Sequence, residues 1–350
     1  MRITRHKNFI PTLQNRGLKA ADEAGRDSAP GRQEEKKPQI SAQIGYILLI
    51  LVWVLFSSCG QRYYRKSTQL LMGTFVEVTS DDPRAAKIVF AEIKRLDGLL
   101  SKFNPQSEVY KLNRLGNLKV SFNTLAVIKK SQKFNQQSGG AFDVTVAPLV
   151  DIWKQAISTK VMPTPQQVAV AKWLTGNKKM VIDERNSTVK FIRKGMQIDL
   201  GGIAKGYAVD CAVAKLREAG IKSCLVNAGG NMYALGKKDQ RPWKIGIKHP
   251  RKKGKMAGYL LLENRAVATS GDYEQYFEIQ GRRLSHIIDP KTGYPADNGI
   301  VSVTVVSDDA TTCDALGTAV FVLGKEKGQK LINGYKDTQV IILTTEDLNV

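Results

Sequence analysis

The chain has 350 residues, a formal net charge of +21 and 42% apolar residues, enough for a sizeable core in one large domain or two packed lobes. The positive balance fits nucleic acid, a membrane surface or an anionic ligand. The basic residues are scattered, however, and there is no zinc-finger spacing, RNA-binding aromatic signature or helix-turn-helix pattern, so nucleic acid is not expected as a partner. Residues 1–43 are polar, without apolar periodicity, and are read as a disordered or mis-started leader. The run Ile44 to Phe56 is almost purely apolar. It is too short for the roughly 20 residues of a spanning helix and fits a secretory h-region of about 7–15. Ser57-Ser58-Cys59-Gly60 follows and resembles a bacterial lipobox, with Phe56 where an aliphatic residue is usual. We therefore expect an exported lipoprotein acylated at Cys59, anchored to the cell or inner membrane, with its catalytic domain facing the periplasm or cell exterior. An uncleaved signal anchor is the alternative.

Residues 44–58 are assigned to the signal, 59–67 to a tether and 68–350 to the globular domain. Met72 to Thr79 alternates as a strand. Ala85 to Ser101 has apolar residues at helical spacing, and Ser121 to Ser138 reads as a second helix ended by Gly139-Gly140. Gly206 to Ala219 is a third helix, closed by Gly220. Strands are expected at 181–191, 223–226, 243–247, 259–262, 266–269, 300–306 and 339–344, and the mixture indicates an α+β fold. Cys211, Cys224 and Cys313 lie in apolar surroundings and read as core residues, with one disulfide among them left open. The tight basic run Arg251-Lys252-Lys253-Gly254-Lys255 reads as a solvated loop.

Walker, dinucleotide-fold and G-x-S-x-G signatures are absent. Of three histidines, His286 alone sits in a promising context, just before the Asp289-Pro290-Lys291-Thr292-Gly293-Tyr294-Pro295 turn. Asp314 and Thr318, four apart on a helix that opens after Asp308-Asp309, share one face and form a hard oxygen pair suited to magnesium. A plain helix cap accounts better for Asp308 or Asp309. Asp199-Leu200-Gly201-Gly202-Ile203-Ala204-Lys205-Gly206 places two glycines and a lysine at a helix start, where amides attract phosphate. Asn227-Ala228-Gly229-Gly230-Asn231 and Gly139-Gly140-Ala141-Phe142-Asp143 are further glycine turns. Together they suggest a pocket for an extended phosphate-bearing ligand.

These segments, with Met72-Gly73-Thr74 and His286-Ile287-Ile288-Asp289-Pro290, occur in the order and spacing of the ApbE family. The chain resembles those FAD:protein FMN transferases, often bacterial lipoproteins, from about Met72 to beyond Thr318. The resemblance implies that FAD meets Met72, Phe103, Ala141, Phe142, Asp143, Asp199, Lys205 and Ile288. It also implies that magnesium is held by the Gly202 carbonyl, Asp314 and Thr318. Phe103 stands where the family commonly has tyrosine, so a hydroxyl contact is missing. The implied reaction moves FMN from FAD to a threonine of an exported acceptor domain of a membrane redox complex, releasing AMP. His286 is the expected base, with Asp289 and Asp199 as rivals. Two other readings use the same pocket: a metal-dependent FAD pyrophosphatase, and a non-catalytic flavin-binding lipoprotein. A pure binder has no need of a metal on the pyrophosphate, which argues against the last.

Overall fold

In this computed structural model the described residues are 63–272, 276–279 and 281–348. They belong to the second of two units into which the chain divides, 61–350. The leader, the h-region and Cys59 lie outside the described residues.

The first element is a hairpin of β1 (Arg65–Leu71) and β2 (Thr74–Ser80), closed by Met72 and Gly73 with φ of 51° and 70°. Positive φ at both central residues is the two-residue turn that matches strand twist. Met72 and Gly73 are thus the turn, not the start of the strand expected from 72 to 79. The Met72 amide is held by Asp97 Oδ2 at 3.0 Å. β1 begins inside the segment read as a tether; its nearly continuous exposure leaves no alternation to read.

Helix α1 (Ala85–Leu100) buries Ala85, Val89, Ile93, Leu96 and Leu100, one stripe at helical spacing. Then come α2 (Glu108–Leu115), β3 (Asn117–Lys119) and α3 (Phe122–Gln137). A 3₁₀ turn at Val144–Val146 leads into α4 (Ala147–Thr159) and α5 (Pro165–Leu174). β4 (Met180–Asp183) and β5 (Thr188–Phe191) form a hairpin where one strand was expected, reversed through 184–187. After α6 (Ala204–Glu218), β6 (Cys224–Ala228) and β7 (Asn231–Leu235) are joined by Gly229-Gly230, both at positive φ. The rest is β8 (Trp243–Lys248), β9 (Met256–Leu262), β10 (Arg265–Gly271), β11 (Tyr276–Ile279), β12 (Arg282–Ser285), β13 (Ile300–Ser307), α7 (Ala310–Leu323), α8 (Lys325–Ile332) and β14 (Gln339–Thr344).

Seven strands form one antiparallel sheet in the order β1-β2-β6-β7-β10-β13-β14. Strand alternation sends Tyr233, Ala268, Val303 and Val305 into one core with α1, α6 and α7, and Ala234, Val267 and Val306 into another beneath the β8–β9 hairpin. Both faces of β13 are covered, so all eight of its residues are buried. A third cluster joins α4, α5 and the loop after β12. Mixed helices and a mainly antiparallel sheet make this an α+β fold, as expected. Cys211, Cys224 and Cys313 are free thiols, so no disulfide links them.

Candidate active site

The site is built where α6 starts against α7. Gly206 is the contact: a Cβ there would sit 2.2 Å from the Ala310 carbonyl oxygen and 2.9 Å from Asp314 Cβ. Only a glycine lets the helices approach this closely. The Gly206 amide, one of the first-turn donors that a helix leaves without an internal partner, donates to Asp314 Oδ2 at 3.0 Å. Gly202 precedes the N-cap Ile203, so its carbonyl lies outside the helix ladder, where the Tyr207 amide bonds the Ile203 carbonyl. Gly202 also lies against α7, since a Cβ on it would be 3.1 Å from Thr318 Oγ1. Thr318 makes only a long 3.4 Å bond to the Asp314 carbonyl, so its hydroxyl lone pairs face outward from that bond.

Asp314 is buried, and burial pushes its carboxyl above the ordinary range; Lys205, the Gly206 amide and Asn231 act against that rise. Lys205 Nζ donates to the Gly201 carbonyl at 2.7 Å and stands 3.9 Å from Asp314 Oδ1. Asn231, from the β6–β7 turn, is 4% exposed, and its Oδ1 accepts no hydrogen bond. A carboxylate, a hydroxyl and a carbonyl outside the helix ladder are an oxygen-only set, the chemistry of a hard divalent cation. Among the described residues no group of three or more His, Cys, Asp or Glu gathers, so a nitrogen- or sulfur-rich metal site is not formed there. These residues fit magnesium.

The flanks come from five segments. The Asp199 amide donates to the Val144 carbonyl at 2.7 Å, and its Oδ1 accepts from the Gly201 amide at 2.9 Å. Its Oδ2 lies 3.1 Å from Lys102 Nζ, which also bonds Asp151 at 2.8 Å. The Lys102 side chain is 8% exposed, buried between two carboxylates that raise its pKa against the effect of burial. Phe103 beside it is 71% exposed, with the ammonium groups of Lys102 and Lys154 at 5.4 and 5.0 Å from its ring centre. It is an open aromatic surface with positive charge at hand. Phe142 is buried 3.2 Å from the Cβ position of Gly202, and Ala141 is buried next to it.

Asp143 faces inward. It accepts from the Thr145 amide and hydroxyl at 2.8 and 2.6 Å and from the Asn177 amide at 3.1 Å, and burial raises its pKa. Its carboxylate caps the 3₁₀ turn that follows, while Ser138 and Asn135 hold the Phe142 amide and carbonyl. Ile288 packs with Leu149 and Trp153, and the Trp153 indole donates to the Gly293 carbonyl at 2.9 Å. Half-buried His286 leads into that same loop, whose Lys291 lies beside Gly140. Met72 sits one hairpin away from the carboxylate: Thr74 packs on Gly229, and Asn231 follows in the turn.

Gly202, Lys205, Asp314, Thr318, Phe142 and Asp199 thus come together, with Met72, Phe103, Ile288 and His286 on the surrounding turns. Sequence reasoning missed Lys102, whose role depends on carboxylates 49 and 97 residues away. It also missed Asn231 as a partner of Asp314, although the glycine turn that carries it was visible.

The model of the ApbE family matches residues 72–342. The FAD:protein FMN transferase of Klebsiella pneumoniae (strain 342) is 34% identical over 281 residues, covering 79% of this chain and 87% of that protein. A Vibrio cholerae protein of the same name is 35% identical, covering 72% and 79%. Among solved structures, the ApbE protein of Thermotoga maritima superimposes with a TM-score of 0.74 at 34% identity, covering 81% of this chain and 95% of that one. The flavin transferase ApbE of Vibrio cholerae gives 0.72 at 29% identity, with the same coverages. Fold and sequence agree: the chain belongs to the ApbE family.

Proposed function

We propose that this chain is a magnesium-dependent FAD:protein FMN transferase that attaches FMN to a threonine of an exported acceptor domain and releases AMP. The observation that carries the reading is the packing of the α6 start against α7, which sets Gly202, ahead of the helix N-cap, beside Thr318 and holds the buried Asp314 carboxylate on the Gly206 amide. These three groups would hold magnesium on the FAD pyrophosphate, where it would neutralise developing charge. Lys205 adds a second positive charge at the helix start. Phe103 offers apolar surface to a ring system of FAD, and buried Phe142 backs the Gly202 turn.

In the proposed reaction the threonine Oγ attacks the phosphorus on the FMN side. A new phosphoester bond forms, the pyrophosphate P–O bond breaks, and AMP leaves with the electron pair. The threonine proton passes to a base, for which His286 is the candidate. The acceptor is proposed to be a domain of a membrane redox complex, and the enzyme to be lipid-anchored through Cys59 on the outer side of the membrane.

The test incubates the chain with FAD and magnesium, with and without an acceptor domain, and follows AMP and covalent flavin fluorescence. Acceptor labelling matched by AMP release is expected. Asp314→Ala should lower both by about 10²-fold or more, since the metal would lose its only charged protein ligand. AMP formed at one rate with or without acceptor, and no labelled acceptor, would make the enzyme a pyrophosphatase. Full activity in Asp314→Ala would remove the metal assignment.

A further inference from the structure

The β8–β9 hairpin has two unlike faces. Trp243, Ile245, Ile247, Leu260 and Leu262 are buried against the outer face of the large sheet. The strand register sets Lys244 opposite Leu261, Gly246 opposite Tyr259 and Lys248 opposite Met256 on the other face. There Leu261, Tyr259 and Met256 are 69%, 59% and 46% exposed. Gly246 has no side chain, and Met256 and Tyr259 close over it. The Lys244 ammonium stands 4.2 Å from the centre of the Tyr259 ring. The tip adds exposed Lys252, Lys253 and Lys255. From 243 to 262 the chain has six lysines and arginines and not one carboxylate. Of the neighbouring acids, Asp272 pairs with Arg251 of the tip itself at 2.6 Å, which leaves the five lysines, while Glu263 pairs with Lys237 and Glu77 with Lys66, though Glu77 also feels Lys248.

We infer that this outer face and its basic tip dock on an anionic lipid surface. A flat two-stranded ribbon offers no groove for a peptide. It offers lysines whose stems lie along an apolar stripe, with a tyrosine among them, which is the composition of a membrane-interface contact. Each lysine near an anionic leaflet is worth about fivefold in partitioning. The hairpin covers the face of the sheet opposite α7, so such a contact leaves the Asp314 face clear for FAD and an acceptor. The inference is independent of the proposed reaction, and of the proposed lipid at Cys59, which would tether the chain without setting which face meets the bilayer.

The experiment uses the full chain on vesicles of phosphatidylcholine alone or with about one third phosphatidylglycerol, and follows hydrogen exchange at the 251–255 amides. Slowing of about tenfold or more on the anionic vesicles alone is expected. The triple variant Lys252→Glu, Lys253→Glu, Lys255→Glu should abolish it. Tyr259→Ser with Leu261→Ser should weaken it severalfold, while melting temperature and FAD affinity stay at wild-type values in both. Equal exchange on the two vesicle types would overturn the inference. So would equal slowing by duplex DNA without lipid, or no effect of the apolar pair, since either marks a general polyanion site.

Discussion

His286 and Asp314 were both singled out from sequence, for different physical reasons. Asp314 and Thr318 share a helix face by spacing alone, and α7 presents them together. Gly202 belongs with them only because the start of α6 packs against α7, an interhelical contact that no spacing rule encodes. His286 stood out by elimination and by its place before a turn. If it takes the threonine proton, His286→Ala should cost about 10²–10⁴-fold in flavin transfer to an acceptor. FAD affinity should persist, because the proposed binding rests on Lys205, Phe103 and the glycine turns. A variant with wild-type transfer rate would shift the role to Asp289 or Asp199.

Between elements, the α6–α7 contact decides whether the site exists. Gly206→Ala places a methyl 2.2 Å from the Ala310 carbonyl oxygen, a backbone atom that cannot swing away. The helices must separate, at a cost of about 1–3 kcal/mol, and FAD binding should weaken together with the melting temperature. Gly98→Ala, in α1 with nothing within 4 Å of the new methyl, should instead hold or raise stability by about 0.4–1 kcal/mol. Equal melting of the two variants would refute the close-contact account.

The same junction contains a pH-dependent contact. Asp210 of α6 accepts from the Ala310 and Thr311 amides at 2.7 and 2.9 Å and from the Thr311 hydroxyl, while Asp309 caps α7 through the Thr312 amide. Burial pushes the Asp210 carboxyl up to about 6 despite those donors. A raised carboxyl means that the folded state holds its proton more tightly than the unfolded one. Its contribution to stability is therefore full below about pH 4 and is lost as pH rises through about 6. Asp210→Asn removes this slope. The melting temperature of the wild type relative to that of the variant should fall as pH rises from about 4 to about 7. A gap independent of pH would show that Asp210 does not titrate in this range.

For the whole molecule, the large sheet is a partition, with α1, α6, α7 and the site on one face and the β8–β9 hairpin on the other. The proposed lipid anchor precedes β1 in the chain. Cys59→Ser should abolish incorporation of labelled lipid, measured by metabolic labelling, and leave flavin transfer in detergent unchanged. A wild type that takes up no lipid yet stays in the membrane fraction would favour an uncleaved signal anchor.

The α+β class, the helices at 85–101, 121–138 and 206–219 and the strand at 339–344 were determined by sequence alone. Apolar periodicity and glycine stops are local signals: the helix at 85–101 carries the first, and the helices at 121–138 and 206–219 are ended by glycines. The glycine turns, the Asp314–Thr318 pair and the capping role at Asp309 were legible for the same reason. Tertiary structure alone decided what depends on partners distant in the chain. The turn conformation of Met72 rests on the β1–β2 pairing and on Asp97. Lys102 gains its role from burial between Asp151 and Asp199, and Asn231 from the hairpin that brings it to Asp314. The break of one expected strand into β4 and β5 follows from a pairing that periodicity does not contain. Gly202 is the clearest case: it lies ahead of the N-cap of α6, and only the packing of α7 against that helix start sets it beside Thr318.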